Sequence, residues 1–546
     1  MKADPSAFPV LEPSEVAIFE AVGTRHRVAA GDYLYHEGDP SYDFWVVLAG
    51  AVDVVVDDAE DIVITTHRAG QFLGELNLLT GVRAFVSARV AEAGDVLAVP
   101  PDLLRRVIAT EPDLGDKILA AFMARRAALL AGPAVFIRVV GSRFSPETMH
   151  LREFLTRTRL PHQWLDPDSD SEVDAIVRAF ALEPSDLPVV IATGEVLRRP
   201  TPGELASYLG LTLDSLPDRS FDLVIVGGGP AGLAAAVYGA SEGLHTLGVD
   251  MIAPGGQAGT SSRIENYFGF TTGISGTELT QRGLVQAEKF GASLSAPCTA
   301  VALREEAGHL MVELSDGTVV AARAVIAATG ARYRRLPVDR LQEFEADSVF
   351  YAATELEARQ CGGSPVMVVG GGNSAGQAAV FLADKGSAVT VVIRTADLNA
   401  RMSRYLVDRV VRHPRIDVMT STNVVGLEGA GTLQAVRVDG PDGERLVPAA
   451  ALFSFIGADP ETSWLNGCAA LDDRGFVLTD RALTDEQLDE SWSALGRRPL
   501  PFETSRPGLF AVGDVRSGSM KRVAAAVGEG SAAVSAIHQF LAFDHH

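Results

Sequence analysis

From Val28 to about Val99 apolar and polar positions alternate in short runs, DYLYHEG, DFWVVLAG, AVDVVVDD and DIVITTHRAG, each closed by glycine or acidic residues. A period of two, broken at short intervals, predicts an all-β barrel or sandwich, because alternate side chains of a strand face opposite sides. The period then lengthens. PDLLRRVIATEP and LGDKILAAFMARRAALLAG read as helices, the second with apolar residues at helical spacing and basic residues toward its C-terminal end, stopped by Gly132-Pro133. From Ala134 to about Leu211 a strand (AVFIRVVG), a helix (PETMHLREFLTRTR), a helix-like DSEVDAIVRAFAL and a strand pair around LPVVIATGEVLRRP predict a compact α/β unit. LTLDSLPDRS reads as a linker. Beyond it one pattern occurs twice: an apolar strand, a glycine-rich turn, then a helix of small residues.

The first copy is DLVIVGGGPAGLAAAVYGA, with Gly227, Gly229 and Gly232 in GxGxxG spacing between a strand and a helix. Backbone amides at such a helix start can meet a pyrophosphate. The next apolar strand, HTLGVD, ends in Asp250, twenty-one residues after Gly229, where a carboxylate can accept hydrogen bonds from an adenine ribose. The second copy, SPVMVVGGGNSAGQAAVFLADKGSAVTVVIR, has Gly370, Gly372 and Ala375 in the same places. Its second strand leads to Arg394, twenty-two residues after Gly372, and a cation there suits the 2′-phosphate of NADP(H) better than the bare ribose of NAD(H).

With 546 residues, 47% hydrophobic and 21% charged, the chain is long enough for three or four globular domains. Its formal net charge of −23 repels phosphate backbones, so nucleic acid is not an expected partner. No stretch approaches a membrane-spanning length, and MKADPSAFPVLEPSE offers charge and proline where a signal peptide needs an apolar run; the expectation is a soluble, cytoplasmic protein without a transmembrane segment. Three scattered cysteines, Cys298, Cys361 and Cys468, make neither a disulfide framework nor a zinc site, and no metal is expected.

Around the two turns lie PGGQAGTSSRIENYFGF, AVIAATGARYRRL and GLFAVGDVRSGSMKRVAAAVGEGSAA. Five motifs in this order resemble the low-molecular-weight thioredoxin reductase family of flavoproteins, from about Phe221 to the C-terminus. The resemblance implies FAD and NADPH as cofactors and a homodimer. It assigns FAD to Gly227, Gly229, Pro230, Ala231, Gly232, Asp250, Gly256, Gln257, Asn266, Thr329, Gly330, Gly513, Asp514, Arg522 and Val523, and NADPH to Gly370, Gly372, Asn373, Ser374, Ala375, Arg394 and Arg401. The FAD domain would comprise residues 220–331 and 458–546, with an NADPH domain, 332–457, inserted between its halves.

The family's CxxC, which carries electrons from flavin to a protein disulfide, is replaced by Tyr351-Ala352-Ala353-Thr354, and Cys361 stands alone beyond it. A lone thiol cannot cycle through an internal disulfide. Gln377 also replaces a glutamate common in that helix. The expected activity is hydride transfer from nicotinamide C4 to flavin N5, with no catalytic side chain assigned. Electrons would then pass to a small-molecule acceptor such as a quinone, another small oxidant, oxygen or an electron carrier. A cyclic nucleotide is a candidate modulator of that turnover, and two alternatives stay open: ferredoxin/flavodoxin–NADP reductase activity, with the negative charge arguing mildly against an acidic ferredoxin, and a regulatory flavoprotein that senses redox state and a cyclic nucleotide with little turnover.

The N-terminal modules carry resemblances of their own. FLGELNLLTGVRAFVSARV, with Gly31, Gly38 and Gly50, resembles the cyclic nucleotide-binding domains, placing such a domain at residues 1–132. The family's phosphate cassette maps onto Gly74, Glu75, Arg83 and Ala84, with Glu75 on the ribose 2′-hydroxyl and Arg83 on the cyclic phosphate. Val82 stands where the family has proline, followed by Ala84, Phe85 and Val86, so the barrel reads either as a cyclic nucleotide site or as a dimerisation or docking module. Residues 133–212 resemble a thioredoxin or glutaredoxin fold, with Leu187-Pro188 at the cis-proline position and GEVLRRPTPGELASYLGL as closing strand and helix. Ser145-Pro146-Glu147-Thr148 replaces its CxxC, leaving a scaffold or binding surface with Ser145 as a helix cap.

Overall fold

The computed structural model describes residues 5–543 apart from 57–61, 132–136, 171, 193–194, 213–218, 262, 346–347, 352, 354 and 466. Gly132-Pro133, most of the 211–220 linker, Ala352 and Thr354 therefore lie outside the described residues.

The N-terminal unit is a β-barrel-like sheet of six strands flanked by α1 (Pro13–Val22), α2 (Asn77–Thr80), α3 (Pro101–Thr110) and α4 (Pro112–Ala131). DFWVVLAG and AVDVVVDD, two runs by pattern, form one strand, Phe44–Val56, whose register shifts around Ala49 and Ala51. Gly50 lies between them at φ +85°, and a Cβ there would sit 2.4 Å from the Glu92 carbonyl oxygen. A glycine bulge thus bends a strand that the alternation alone reads as ended.

The second unit has a four-stranded sheet in the order Glu195–Arg198, Val189–Ala192, Ile137–Val140, His162–Leu165. The last two strands run parallel through the crossover helix α5 (Pro146–Arg157), and the other pairs are antiparallel. Two further helices, α6 (Val173–Ala179) and α7 (Pro202–Leu209), complete it. The strand His162–Leu165 was not expected, since four residues with polar ones at the start carry no alternation to detect. Ser145 caps α5, its Oγ accepting from the Thr148 amide at 3.2 Å, and the Leu187–Pro188 peptide is cis.

The remainder is built around two sheets, a seven-stranded one that is parallel at its centre with Ala300–Glu306 and His309–Leu314 added antiparallel beside Val319–Ala327, and a parallel five-stranded one. In the first, Ser220–Val226 lies between Thr246–Val249 and Val319–Ala327, with Leu509–Ala511 returning beside the latter. Helices α8 (Pro230–Ser241) and α9 (Gly276–Lys289) follow its turns. In the second, Val366–Val369 lies between Ala451–Ser454 and Val389–Val392, and Ile416–Met419 pairs with Val389–Val392. This sheet is accompanied by α10 (Leu341–Phe344), α11 (Glu355–Cys361), α12 (Asn373–Asp384) and α13 (Arg404–Arg412). The chain crosses between the sheets twice, at Ala331–Tyr333 and Ala458–Pro460, and these two segments pair antiparallel. After α14 (Glu490–Leu495), the long α15 (Val523–Phe543) packs on α8.

That contact is close because of glycine. A Cβ on Gly530 of α15 would lie 2.1 Å from the Ala231 carbonyl oxygen of α8. Gly530→Val is expected to force the helices apart and cost about 1–3 kcal/mol. Urea unfolding of the two proteins checks this, and equal midpoints and slopes would refute it.

Candidate functional site

The three glycines of the first turn do three different jobs. Gly227, at φ +112°, presses against the end of the neighbouring strand Val319–Ala327, where a Cβ would meet the Ala328 carbonyl oxygen at 2.3 Å. Gly232 lets α8 lie on the turn, since a Cβ would fall 1.8 Å from the Gly227 carbonyl oxygen. Gly229, the N-cap of α8, has only the Gly256 Cα at 4.0 Å near its Cβ position. The second turn repeats this division. A Cβ on Gly370, at φ +141°, would lie 2.4 Å from the Phe455 carbonyl oxygen, Ala375 is fully buried, and nothing lies within 4 Å of a Cβ on Gly372. An open middle glycine at a helix start, where backbone amides lack helical partners, is the cradle that a dinucleotide pyrophosphate needs. Both turns fit such a ligand.

One cavity of about 1800 Å³ adjoins the first turn. Every residue assigned to FAD lines it except Gly232, which acts behind the wall. Asn373 and Ser374, at the start of α12, and Gln377 open onto the same cavity, whereas Gly370, Gly372, Ala375, Arg394 and Arg401 do not line it. Asp250 is anchored by backbone amides: Gly228 donates at 2.8 Å, Ile252 at 3.0 Å and Ala253 at 2.9 Å. The carboxylate is thereby fixed at the end of its strand, and Oδ2, which accepts only the Gly228 amide, retains a lone pair for a hydroxyl. Gln257 donates through Nε2 to the Ala331 carbonyl, and Thr329 donates through Oγ1 to the Glu461 carbonyl at 2.6 Å. Burial raises the pKa of Asp514 above the ordinary carboxylate value, opposed by Lys521 and reinforced by Glu529.

Glu529 went unassigned from the sequence. Its carboxylate accepts from the Gly513 amide at 2.7 Å, from Arg516 at 2.6 and 3.1 Å, and from Ser519 Oγ at 2.9 Å, so it holds the GDV turn in place from α15. The signal was an acid in a helix of otherwise small residues, GEGSAA. Arg394 is exposed just past the strand Val389–Val392 and, among the described residues, has no ion-pair partner. Arg401 is also exposed. Arg409 of α13 pairs with Glu265 at 2.7 Å, tying the inserted unit to the loop that carries Asn266.

The N-terminal units form part of the cavity wall. From α5 and the turn after it, Arg152, Arg157 and Arg159 reach the cavity, with Arg126 from α4. Arg157 Nη2 donates to the Gly256 carbonyl at 3.3 Å, a direct link from the second unit to the PGGQ loop. The four residues assigned to the cyclic nucleotide cassette are engaged within the protein. Glu75 pairs with Arg126 at 2.9 Å instead of facing a ribose, and Arg83 donates through Nε to the Tyr208 carbonyl at 2.6 Å and through Nη1 to the Gly38 carbonyl at 2.8 Å. The Ala84 amide donates to the Asp39 carbonyl at 3.0 Å. Gly74, at φ +137°, keeps the tight turn, and its carbonyl accepts from Arg125. Of these contacts only those of Arg83 reach the neighbouring unit, its Nε on the Tyr208 carbonyl and its amide on the Leu209 carbonyl; the others close within the barrel.

Two parallel dinucleotide folds meeting at one cavity define a flavin- and pyridine-nucleotide-dependent oxidoreductase. A family model described as pyridine nucleotide-disulphide oxidoreductase matches residues 221–530, and one described as cyclic nucleotide-binding domain matches residues 25–111. The chain belongs to the pyridine nucleotide-disulphide oxidoreductase family, and its cofactors are FAD and NADPH. It is 31% identical over 334 residues to a thioredoxin reductase of Listeria monocytogenes, covering 58% of this chain and 92% of that one. With a thioredoxin reductase of Treponema pallidum it shares 32% identity over 332 residues, 59% of this chain and 98% of the other. The crystal structure of T. acidophilum thioredoxin reductase superposes with a TM-score of 0.53 at 27% identity, covering 59% of this chain and all of that one. Among the described residues, no helix is long and apolar enough to cross a membrane.

Where the FAD fold meets the barrel, Glu288 of α9 is buried, and its Oε2 has no hydrogen-bond partner among the described residues. Burial pushes its pKa up to about 8, against the pull of Arg105 and Arg126. The folded chain therefore holds this proton while an exposed glutamate, with its ordinary value of 4.5, has lost it. This group's contribution to stability is greatest below pH 4.5 and declines as pH rises toward 8, by up to about 1.4 kcal/mol per pH unit. Glu288→Gln is expected to flatten that decline and stabilise the protein at pH 8. Urea unfolding at pH 6 and pH 8 tests this; the same pH dependence in both proteins would contradict it.

Proposed function

We propose that the chain oxidises NADPH through FAD and delivers the electrons to a non-thiol acceptor, a quinone or comparable small oxidant. The state of the thiols carries this reading. Tyr351 and Ala353 stand where the family has its CxxC, and Tyr351 Oη donates to Glu345 Oε1 at 2.6 Å on the cavity wall. Cys361 is buried at the end of α11, and burial pushes its thiol up to about 11. Cys298 reaches the cavity beside Asp250, but burial raises its thiol to about 12; Cys468 is raised as well and donates to the Leu303 carbonyl. Thiols that stay protonated are poor nucleophiles toward a disulfide.

The cofactors supply the redox chemistry: NADPH, a proton and a quinone give NADP⁺ and a hydroquinone. The protein binds and orients them. The open glycines at α8 and α12 receive the pyrophosphates, Asp250 receives a ribose, Glu529 holds the Gly513–Asp514 turn, and the exposed Arg394 takes the 2′-phosphate. The second unit is read as thioredoxin-like, supported by its parallel crossover followed by an antiparallel strand and closing helix, and it serves as wall and scaffold.

The purified protein is expected to be yellow and to oxidise NADPH in preference to NADH. Arg394→Ala should raise the apparent KM for NADPH five- to thirtyfold, about 1–2 kcal/mol, and leave NADH nearly unchanged. Steady-state kinetics with both nucleotides decide it, an unaltered NADPH/NADH ratio removing Arg394 from the site. Replacing Cys298, Cys361 and Cys468 together by serine should leave quinone-dependent NADPH oxidation within about twofold, since no step uses a thiolate. If a folded, FAD-loaded triple variant has lost turnover, the thiol-independent route is wrong.

A further inference from the structure

The carbonyls at the end of α7 have an unusual destination. An α-helix leaves its last four carbonyls without intrahelical donors, and together they carry about half a negative charge. In α7 the Gly210 amide donates to Ala206 and Ser207, with Gly210 left-handed at φ +82°, and the Leu211 amide donates to Ala206 at 2.8 Å. Those bonds satisfy the first two carbonyls. The other two, of Tyr208 and Leu209, are both taken by Arg83: Nε donates to Tyr208 at 2.6 Å and the backbone amide to Leu209 at 3.2 Å. The guanidinium also lies over the Tyr208 ring, 5.1 Å from its centroid.

Seen from the barrel, the same contact uses up the cassette. Arg83 bridges the Gly38 carbonyl and α7, the Ala84 amide is bonded to Asp39, and Glu75 is held by Arg126. Val82 and Phe85, which replace the family's proline and a small residue, are 4% and 2% exposed and belong to the core of the second unit. Gly81 and Gly210 touch: a Cβ on Gly210 would lie 2.8 Å from the Gly81 carbonyl oxygen. The side chains that depart from the cyclic nucleotide pattern are those that fit the second unit.

We propose that the cassette has exchanged a cyclic phosphate for the C-terminal end of α7: it is an intramolecular dock that anchors the second unit, and it excludes cyclic nucleotides. A partial negative charge on two carbonyl oxygens satisfies the arginine and the backbone amide that a phosphate would engage. The same unit bonds the PGGQ loop through Arg157 and Gly256, so the dock fixes that unit against the cofactor cavity. The inference stands independently of the electron acceptor, because its readouts are ligand binding and amide exchange rather than turnover.

The test uses the full-length, FAD-loaded chain. Calorimetric titration with cyclic AMP and with cyclic GMP to millimolar concentration is expected to show no saturable binding. Hydrogen exchange is then read across the contact. Arg83→Ala should speed exchange in residues 202–211 about tenfold or more, the effect of losing a charged donor. Gly210→Ala leaves every barrel residue intact and should speed exchange in residues 81–86 to a similar degree, which a merely frayed α7 would not do. Should Arg83→Ala fail to fold, Gly210→Ala decides alone. Saturable binding of either nucleotide by the wild type, or unchanged exchange in 81–86 when Gly210 is replaced, overturns the proposal.

Discussion

The cofactor cavity depends on how closely one helix start can approach the backbone around it. At Gly232 the helix lies on the Gly227 carbonyl with no room for a Cβ, and at Gly530 the last helix lies on Ala231 with no room for one either. These contacts place the N-terminal turn of α8 at the cavity wall with Gly229 left open, and they bring α15, with Glu529, under the Gly513–Asp514 turn. Interiors packed at crystal-like density transmit such constraints, so a methyl group at one of these points displaces everything stacked on it. The second dinucleotide fold repeats the arrangement with Ala375, whose methyl shows that its helix start tolerates slightly more distance.

Charge organises the junction of the three units. The chain is strongly acidic as a whole, yet arginines join the units, Arg83 on Tyr208 and Arg157 on Gly256, and others face the shared cavity, Arg126 held by Glu75 and Arg152 stacked on Trp164. Several of these use carbonyl oxygens or an aromatic face as partners. A planar guanidinium is less strongly hydrated than an ammonium and suits such half-buried positions. Glu288 completes the junction on the opposite side, where Val285 of the same helix enters the barrel core and Lys289 pairs with Asp116 at 3.5 Å. The N-terminal units are thus packed into the oxidoreductase fold and form part of the wall of its cavity.

Much of the fold was legible in the sequence because its signals are local. The two strand–turn–helix repeats, Asp250 and Arg394 just past the ends of their strands, and the insertion of the second repeat between the halves of the first follow from short motifs that fold on themselves, and the cis Leu187–Pro188 peptide stands where the resemblance to thioredoxin puts it. The failures were local in appearance and tertiary in cause. Gly50 looked like the end of a strand, and only the backbone of the distant Glu92 and Ala93, which leaves no room there for a Cβ, shows why glycine continues it. His162–Leu165 shows no alternation and is a strand because Ile137–Val140 pairs with it.

The same division holds for the sites. Composition and motif spacing determined that this is a multidomain protein with two dinucleotide cradles and no dithiol in the family position, since glycine and cysteine act through their identity. Tertiary structure alone decided that Glu529 supports the cofactor turn, that Glu288 is buried without a partner, and that Arg83 meets a helix end. An arginine, a glutamate or a carbonyl takes its role from what lies opposite, and here the opposing groups come from residues dozens to more than a hundred positions away or, for Glu529, from the far side of a turn.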